Sequence, residues 1–348
     1  MPRASRIGRL LVVAVALAAA LSARADCLFK ADDRVVIYGD SITEQRLYSR
    51  YLQQYVDCRY PELKIRFFNA GWGGDTAGGA ANRLERDVLW CKPTAATLFF
   101  GMNDGGYRSL DQGVVDNYRN NMERLIKGLL DAKVRVMVFT PGCVDGDRQK
   151  RLADCNYNQQ LEALGKAGEE LAKKYNLQFA DIHHPMLDIQ TKMKARRADF
   201  TMIPDSVHPN AAGHLVMARY MLAGLGAEPM PAMGSFDIAA DKGDGLKLVS
   251  KSPAQTILQT TVAPKTPFWY EDGSAEVAEL CGMQDFVGQK LTVKGLPAGS
   301  WDVAIEGKTV LKATSEELAA GVSVPGTWSS VGKTIHDTVQ RKEDSYFT

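Results

Sequence analysis

The sequence predicts an α/β fold built on a parallel sheet with helices on both faces, followed by a smaller β-rich region. Five runs of β-forming residues recur at about 34–39, 64–69, 94–100, 134–140 and 177–182. The stretches between them carry helical spacing, as in Val114 to Leu130 and Leu161 to Tyr175. Strand and helix in alternation argue for βαβ units, which bury a parallel sheet between two helical layers. The alternation stops after Gly226. Glu228-Pro229-Met230-Pro231 is a natural break, and shorter alternating runs replace the helical pattern beyond it.

The chain begins with Arg3, Arg6 and Arg9 ahead of an apolar run from Leu10 to Leu21, and Ala23-Arg24-Ala25 then supplies small residues. This is the pattern of a secretory leader, residues 1–25, with cleavage expected after Ala25 and a periplasmic or extracellular destination. The apolar run is short for a bilayer span, so no stable membrane insertion is expected after cleavage. Cys27 raises a lipoprotein reading, which Asp26 disfavours because a small residue is needed there.

The sequence carries 42 Lys+Arg against 41 Asp+Glu, and four of the arginines lie in residues 1–25. The remainder therefore has a formal charge of −3. No basic excess exists to recruit nucleic acid. Six cysteines (27, 58, 91, 143, 155 and 281) follow the leader, where an exported protein can oxidise them. Cys143 and Cys155 flank a short polar loop and are the first disulfide expected, although six cysteines allow fifteen pairings. No Cys-x-x-Cys pair or zinc-like Cys/His spacing occurs, so no metal cofactor is expected. His183-His184, at the end of the fifth strand-like run, has a metal or site-facing reading and a commoner structural one.

Val35-Val36-Ile37-Tyr38 reads as a buried strand, and Gly39-Asp40-Ser41 follows at its carboxyl end, where α/β sheets carry their chemistry. Alone, these three residues are ordinary turn and capping chemistry. Three further stretches follow in order: Asn69-Ala70-Gly71-Trp72-Gly73-Gly74-Asp75-Thr76, Gly101-Met102-Asn103-Asp104, and Asp205-Ser206-Val207-His208-Pro209-Asn210. The first two each follow a strand-like run. The third opens the helical segment Ala211 to Leu225, with Pro209 suited to its first turn. Gly71 to Asp75 does not fit the dinucleotide fingerprint, because Thr76 stands at the third glycine position, and no Walker A loop, His-Glu-x-x-His or Gly-x-Ser-x-Gly elbow occurs.

Taken in this order, Gly-Asp-Ser, Asn-x-Gly-x-x-Gly-x-Thr, Gly-x-Asn-Asp and Asp-x-x-His-Pro-Asn resemble the four blocks of the SGNH (GDSL-type) hydrolases, over about residues 33–226. The resemblance implies a flavodoxin-like three-layer α/β/α sandwich with a five-stranded parallel sheet. It also implies Ser41, Asp205 and His208 as catalytic residues and an oxyanion hole from the backbone N–H groups of Ser41 and Gly74 with the side-chain amide of Asn103. Ser41 would attack the ester, His208 would carry its proton, and Asp205 would hold the imidazole. Gly74 allows close backbone approach, and an amide donates without carrying a charge. Trp72 and Asp40 are candidate substrate contacts.

These readings divide the chain into a leader (1–25), a hydrolase domain (26–230) and a β-rich region with a terminal helical segment (231–348). In the last region Leu291-Thr292-Val293 and Trp301-Asp302-Val303-Ala304-Ile305, joined across Gly295 to Gly299, read as neighbours in a small meander. Thr314-Ser315-Glu316-Glu317 reads as a capping box. Trp269-Tyr270 has a sugar-stacking reading beside a packing one, and Lys333 to Thr348 reads as a frayed tail or an incomplete element. The expected function is an exported serine esterase acting on small carboxylic esters, with carbohydrate O-acetyl groups the leading substrate. A lipase or lysophospholipase-like acylhydrolase is the alternative within the class. A glycan-binding module on a hydrolase scaffold and a disulfide-rich envelope protein stand outside it.

Overall fold

The computed structural model describes residues 9–14, 29–261, 266–267, 269–270 and 274–345. Its contacts group into two compact units that are not contiguous in sequence. One comprises residues 24–228, 270–283 and 338–348, and the other residues 1–23, 229–269 and 284–337. No single boundary along the chain separates the units, because residues 270–283 and 338–348 group with the first. Among the described residues no helix is long and apolar enough to cross a membrane.

The first described strand, β1 (Arg9–Ala14), belongs to the second unit. The hydrolase unit holds β2 (Arg34–Gly39), β3 (Arg66–Gly71), β4 (Ala95–Phe99), β5 (Arg135–Phe139) and β6 (Gln178–Ala180). They form one sheet of order β3-β2-β4-β5-β6, parallel throughout. Val35 to Tyr38 and all of β4 are buried, as required of strands covered on both sides.

One face packs Val36, Tyr38, Leu98 and Val138 against Leu84, Met122, Leu125 and Leu164, which lie on the helices Ala77–Asp87, Gln112–Asp131 and Tyr157–Lys174. The other face is covered by Leu47–Arg59 and Ala211–Gly224, with Tyr48 meeting Phe99 edge to face at 5.7 Å. This is the flavodoxin-like three-layer sandwich. The chain leaves β2 for β3 on one side and returns to β4 on the other, so the carboxyl ends of β2, β3 and β4 flank the switch point where such sheets bind ligands.

The second unit contains two sheets. The first has order β13-β12-β1-β10-β9 and the second β14-β11-β7-β8, where β7 is Gly234–Asp237, β8 Lys242–Asp244, β9 Leu246–Lys251, β10 Gln255–Thr260, β11 Gln289–Lys294, β12 Ser300–Ile305, β13 Lys308–Thr314 and β14 Val322–Val324. The expected meander is corrected here, because β11 and β12 lie in different sheets. The turn between them carries Gly295 and Gly299 at φ of 76° and 133°, which lets the chain pass from one sheet to the other. Both sheets then bury one core that includes Val293 and Leu291 from β11 and Trp301, Val303 and Ile305 from β12.

Part of the segment read as a leader is the central strand of this unit. β1 pairs in parallel with β10 on one side and β12 on the other, and its Leu11 and Val13 are fully buried. The capping box at Thr314 and Glu317 is present, both of its bonds included, at the start of the helix Ser315–Ala320. Residues 333–345 are no frayed tail, and the last three residues lie outside the described ones. Residues Ser330–Asp344 form a helix whose last turn carries Glu343, buried beside Arg46 at 2.6 Å, and Lys342, which donates to the Phe67 carbonyl at 2.9 Å.

Candidate active site

Ser41 opens a single helical turn, Ser41–Glu44, at the carboxyl end of β2. Asp40 caps that turn, its Oδ1 accepting from the Ile42 N–H at 3.0 Å. The expectation that Asp40 contacts substrate is corrected by its burial, at 1 % exposure. Burial pushes its carboxyl up to about 7, with Asp104 and Asp75 adding to the rise. Asp104 is half-buried, shielding of its carboxyl pushes it likewise up to about 7, and the Oδ2 atoms of both carboxyls have no hydrogen-bond partner among the described residues.

The loop before the helix Ala211–Gly224 delivers His208 to Ser41. Ser41 Oγ lies 2.8 Å from His208 Nε2, and His208 Nδ1 lies 2.7 Å from Asp205 Oδ2. With Nδ1–H donating to the carboxylate, Nε2 is left as the acceptor for the serine hydroxyl. Asp205 Oδ1 also accepts the backbone N–H groups of Val207 at 3.0 Å and His208 at 2.7 Å, which locks the segment. Burial opposes ionisation of Asp205, but these backbone bonds and the imidazole outweigh it and hold its carboxyl below the usual range.

The donors expected at the oxyanion stand on two neighbouring loops. Gly74 has φ of 72°, and a Cβ built on it would find no atom within 4 Å. The left-handed backbone by itself calls for glycine here, and the open space around it leaves the N–H accessible to a ligand. Asn103 Nδ2 donates to the Asp75 carbonyl at 2.8 Å, and its Oδ1 accepts from the Tyr107 hydroxyl at 2.7 Å. This fixes which way the amide faces and leaves the second Nδ2 hydrogen for a ligand. Burial pushes Tyr107 up to about 12, so it remains a neutral donor.

Asn69, the first residue of its block, and Arg83, which no local motif marked, hold these parts together. Asn69 donates to the Thr43 carbonyl at 2.8 Å and accepts the Gly71 N–H at 2.9 Å. It ties the end of β3 to the Ser41 turn, where a Cβ at Gly71 would lie 2.2 Å from the Glu44 nitrogen. Arg83 donates to the carbonyls of Gly39 at 3.1 Å and Ala70 at 3.0 Å and pairs with Asp75 at 2.7 Å, strapping two strand ends to the loop that carries Gly74.

His214 is fully buried, and burial first, then Arg50 and His208, pulls it down to about 3. Its Nδ1 accepts the Tyr48 N–H at 3.2 Å, so Nε2–H donates to Gln45 Oε1 at 3.0 Å. Gln45 in turn donates to the Pro209 carbonyl at 3.2 Å, bridging the serine turn and the histidine loop. The signal for such residues is long-range contact, which a single sequence does not display.

Other expectations resolve as structural. His183 is buried, and its Nδ1–H donates to the Gly142 carbonyl at 2.9 Å; His184 pairs with Asp181 at 2.7 Å. Among the described residues no cluster suited to a metal ion occurs. The expected Cys143–Cys155 disulfide is corrected, since Cys58, Cys91, Cys143, Cys155 and Cys281 are all free thiols. Cys143 is buried, and burial pushes it up to about 12, while the Cys155 thiol lies 3.6 Å from the Leu152 carbonyl. Cys27 lies outside the described residues. Trp72 is exposed, and Trp269 donates its indole N–H to the Ser329 carbonyl at 3.3 Å.

A flavodoxin-like sheet carrying a serine, histidine and aspartate in one hydrogen-bonded chain at its carboxyl edge defines a class of serine-dependent acyl hydrolase. A sequence model of the GDSL-like Lipase/Acylhydrolase family matches residues 37–216, about half of the chain, and the protein belongs to that family. It is a carboxylic ester hydrolase. Over 188 residues, 52 % of this chain and 81 % of the relative, it is 25 % identical to an acetylxylan esterase of Geobacillus stearothermophilus. A gut microbial diltiazem-metabolizing enzyme shares the fold at a TM-score of 0.74 and 22 % identity, over 91 % of this chain and 78 % of that one.

Proposed function

We propose that this protein is an exported serine esterase that removes O-acetyl groups from carbohydrate through an acyl-enzyme. The observation that carries the mechanism is the chain from Ser41 Oγ through His208 to Asp205, with both links under 3 Å. Ser41 attacks the acyl carbon while His208 Nε2 takes its proton. The oxyanion forms against the N–H groups of Ser41 and Gly74 and the free hydrogen of the Asn103 amide, and His208 returns the proton to the departing alcohol. Water then repeats the sequence on the acyl-enzyme. Likeness to an acetylxylan esterase supports the substrate, and the leader pattern in residues 1–25 supports export.

The test is turnover of aryl esters graded from acetyl to octanoyl and of acetylated xylan, with Ser41→Ala alongside. Activity on acetyl substrates that falls by at least three orders of magnitude in Ser41→Ala is expected. Preference for octanoyl esters would overturn the carbohydrate assignment in favour of a lipid acylhydrolase. N-terminal sequencing of protein recovered from the periplasm or medium tests export: a start at Asp26 is expected, and retention of Met1 in the cytoplasm would overturn it.

A further inference from the structure

Among the described residues, the exposed large apolar side chains are Trp72, Trp90, Leu110, Val249 and Val331. The two aromatic ones, 58 % and 72 % exposed, line the same cleft of about 330 Å³ in the hydrolase unit. Leaving two indoles in water forgoes the burial that ordinarily keeps tryptophan in cores and interfaces, so a ligand that covers them gains what folding left unused.

Besides the indoles the cleft is lined by Phe68, Cys91, Arg46 and Asp87, among others. Both charged groups are already set by ion pairs, Arg46 to Glu343 at 2.6 Å and Asp87 to Arg83 at 3.2 Å. The cleft thus combines apolar faces with oriented donors and acceptors. That matches a pyranose ring, which offers C–H faces to an indole and hydroxyls at its rim. An alkyl chain would cover the indoles but exclude water from the charged wall groups while offering them no hydrogen bond.

The position also fits. Trp72 follows Gly71 at the end of β3, its N–H donates to the Gly39 carbonyl at 3.1 Å, and Gly39 stands two residues before Ser41. Gly74 lies two residues beyond Trp72 on the same loop. A ring held against Trp72 is therefore delivered from a segment bonded directly to the serine strand.

We propose that the Trp72–Trp90 cleft is a saccharide subsite, which holds a pyranose ring of the polymer while an acetyl group reaches Ser41. The proposal rests on the carbohydrate esterase reading and extends it to named specificity residues. Trp90 lies outside the catalytic machinery and on the surface, so Trp90→Ala is expected to fold, as a thermal melt would verify.

The experiment measures steady-state kinetics of the full chain and Trp90→Ala on an aryl acetate and on acetylated xylooligosaccharides. In parallel, the Ser41→Ala protein, with and without Trp90→Ala, is titrated with unacetylated xylooligosaccharide by tryptophan fluorescence and calorimetry. Expected are an unchanged aryl acetate kcat/KM, a KM for the saccharide ester raised about three- to tenfold, and a matching loss of saccharide binding. Equal saccharide KM and binding in both proteins would overturn the subsite while leaving the esterase reading intact. A KM shift confined to octanoyl esters would overturn it in favour of an acyl-chain cleft. Turnover of aryl acetate without any on acetylated saccharide would overturn the carbohydrate reading itself, and the binding titration then reports on the cleft separately.

Discussion

Asp40 shows how one residue serves a site without touching substrate. It holds the serine turn through the Ile42 N–H, yet its second oxygen is buried without a partner, so ionisation there is costly. Its folded value of about 7 lies above the ordinary 3.8, and the folded protein keeps a proton that the unfolded chain has released between those values. Its contribution to stability is therefore complete below about pH 4, falls as pH rises through that window and levels off above it. Asp40→Asn keeps an oxygen for the cap and removes the ionisation. It is expected to be more stable than the parent by roughly 1–3 kcal/mol at pH 8 and to lose that advantage towards pH 4. Urea unfolding of both proteins at the two pH values checks this, and comparison within the pair cancels the titrating groups distant from Asp40. A gap that widens at low pH would contradict the assignment.

At the scale of elements, the strand β1 makes the strongest demand on the chain. It sits between β10 and β12, and each of those strands takes one side of its backbone. Removing residues 1–25, as cleavage after Ala25 would, strips both neighbours of their partner and takes Leu11 and Val13 from the core. Two fully buried aliphatic side chains are worth about 3–6 kcal/mol together. A chain beginning at Asp26 is expected to exchange amide hydrogens faster at residues 255–260 and 300–305 than the full chain, with the β2 and β4 amides unaffected. Equal protection in both chains would mean that β10 and β12 close on each other once β1 is gone.

Over the whole molecule, the order of the chain and the order of its packing part company after residue 228. Residues 270–283 and 338–348 return to the hydrolase unit, where Arg196 and Arg197 reach Glu276 and Arg46 reaches Glu343. The exposed Glu276 pairs add little, whereas Glu343 is 5 % exposed and its pair with Arg46, 14 % exposed, is largely shielded from water. Glu343→Gln is expected to destabilise the hydrolase unit by about 3 kcal/mol, read as a lower temperature of inactivation on aryl acetate. An unchanged inactivation temperature would show that residues 338–348 contribute nothing to that unit.

How far the fold and the site were legible follows from the range of the forces involved. The parallel sheet was legible because strands buried on both faces must be largely apolar, and Val35 to Tyr38 and, but for Thr97, Ala95 to Phe100 are so at the level of composition. Ser41, Asn103, Asp205 and His208 were legible as an ordered set of short blocks, each next to the strand or helix that presents it. The burial of Asp40, the free thiols of Cys143 and Cys155, the separation of β11 and β12 into two sheets, and the bridge from His214 through Gln45 to Pro209 were not. Each depends on which surfaces meet after folding. Local pattern records what a residue's neighbours in sequence require of it, and the sequence alone therefore determined the hydrolase architecture and singled out its candidate reactive groups. Only tertiary packing decided which carboxyls are sealed from water, which amides are held in one orientation, and that Trp72 and Trp90 face a common cleft, because those outcomes are set by contacts across the fold.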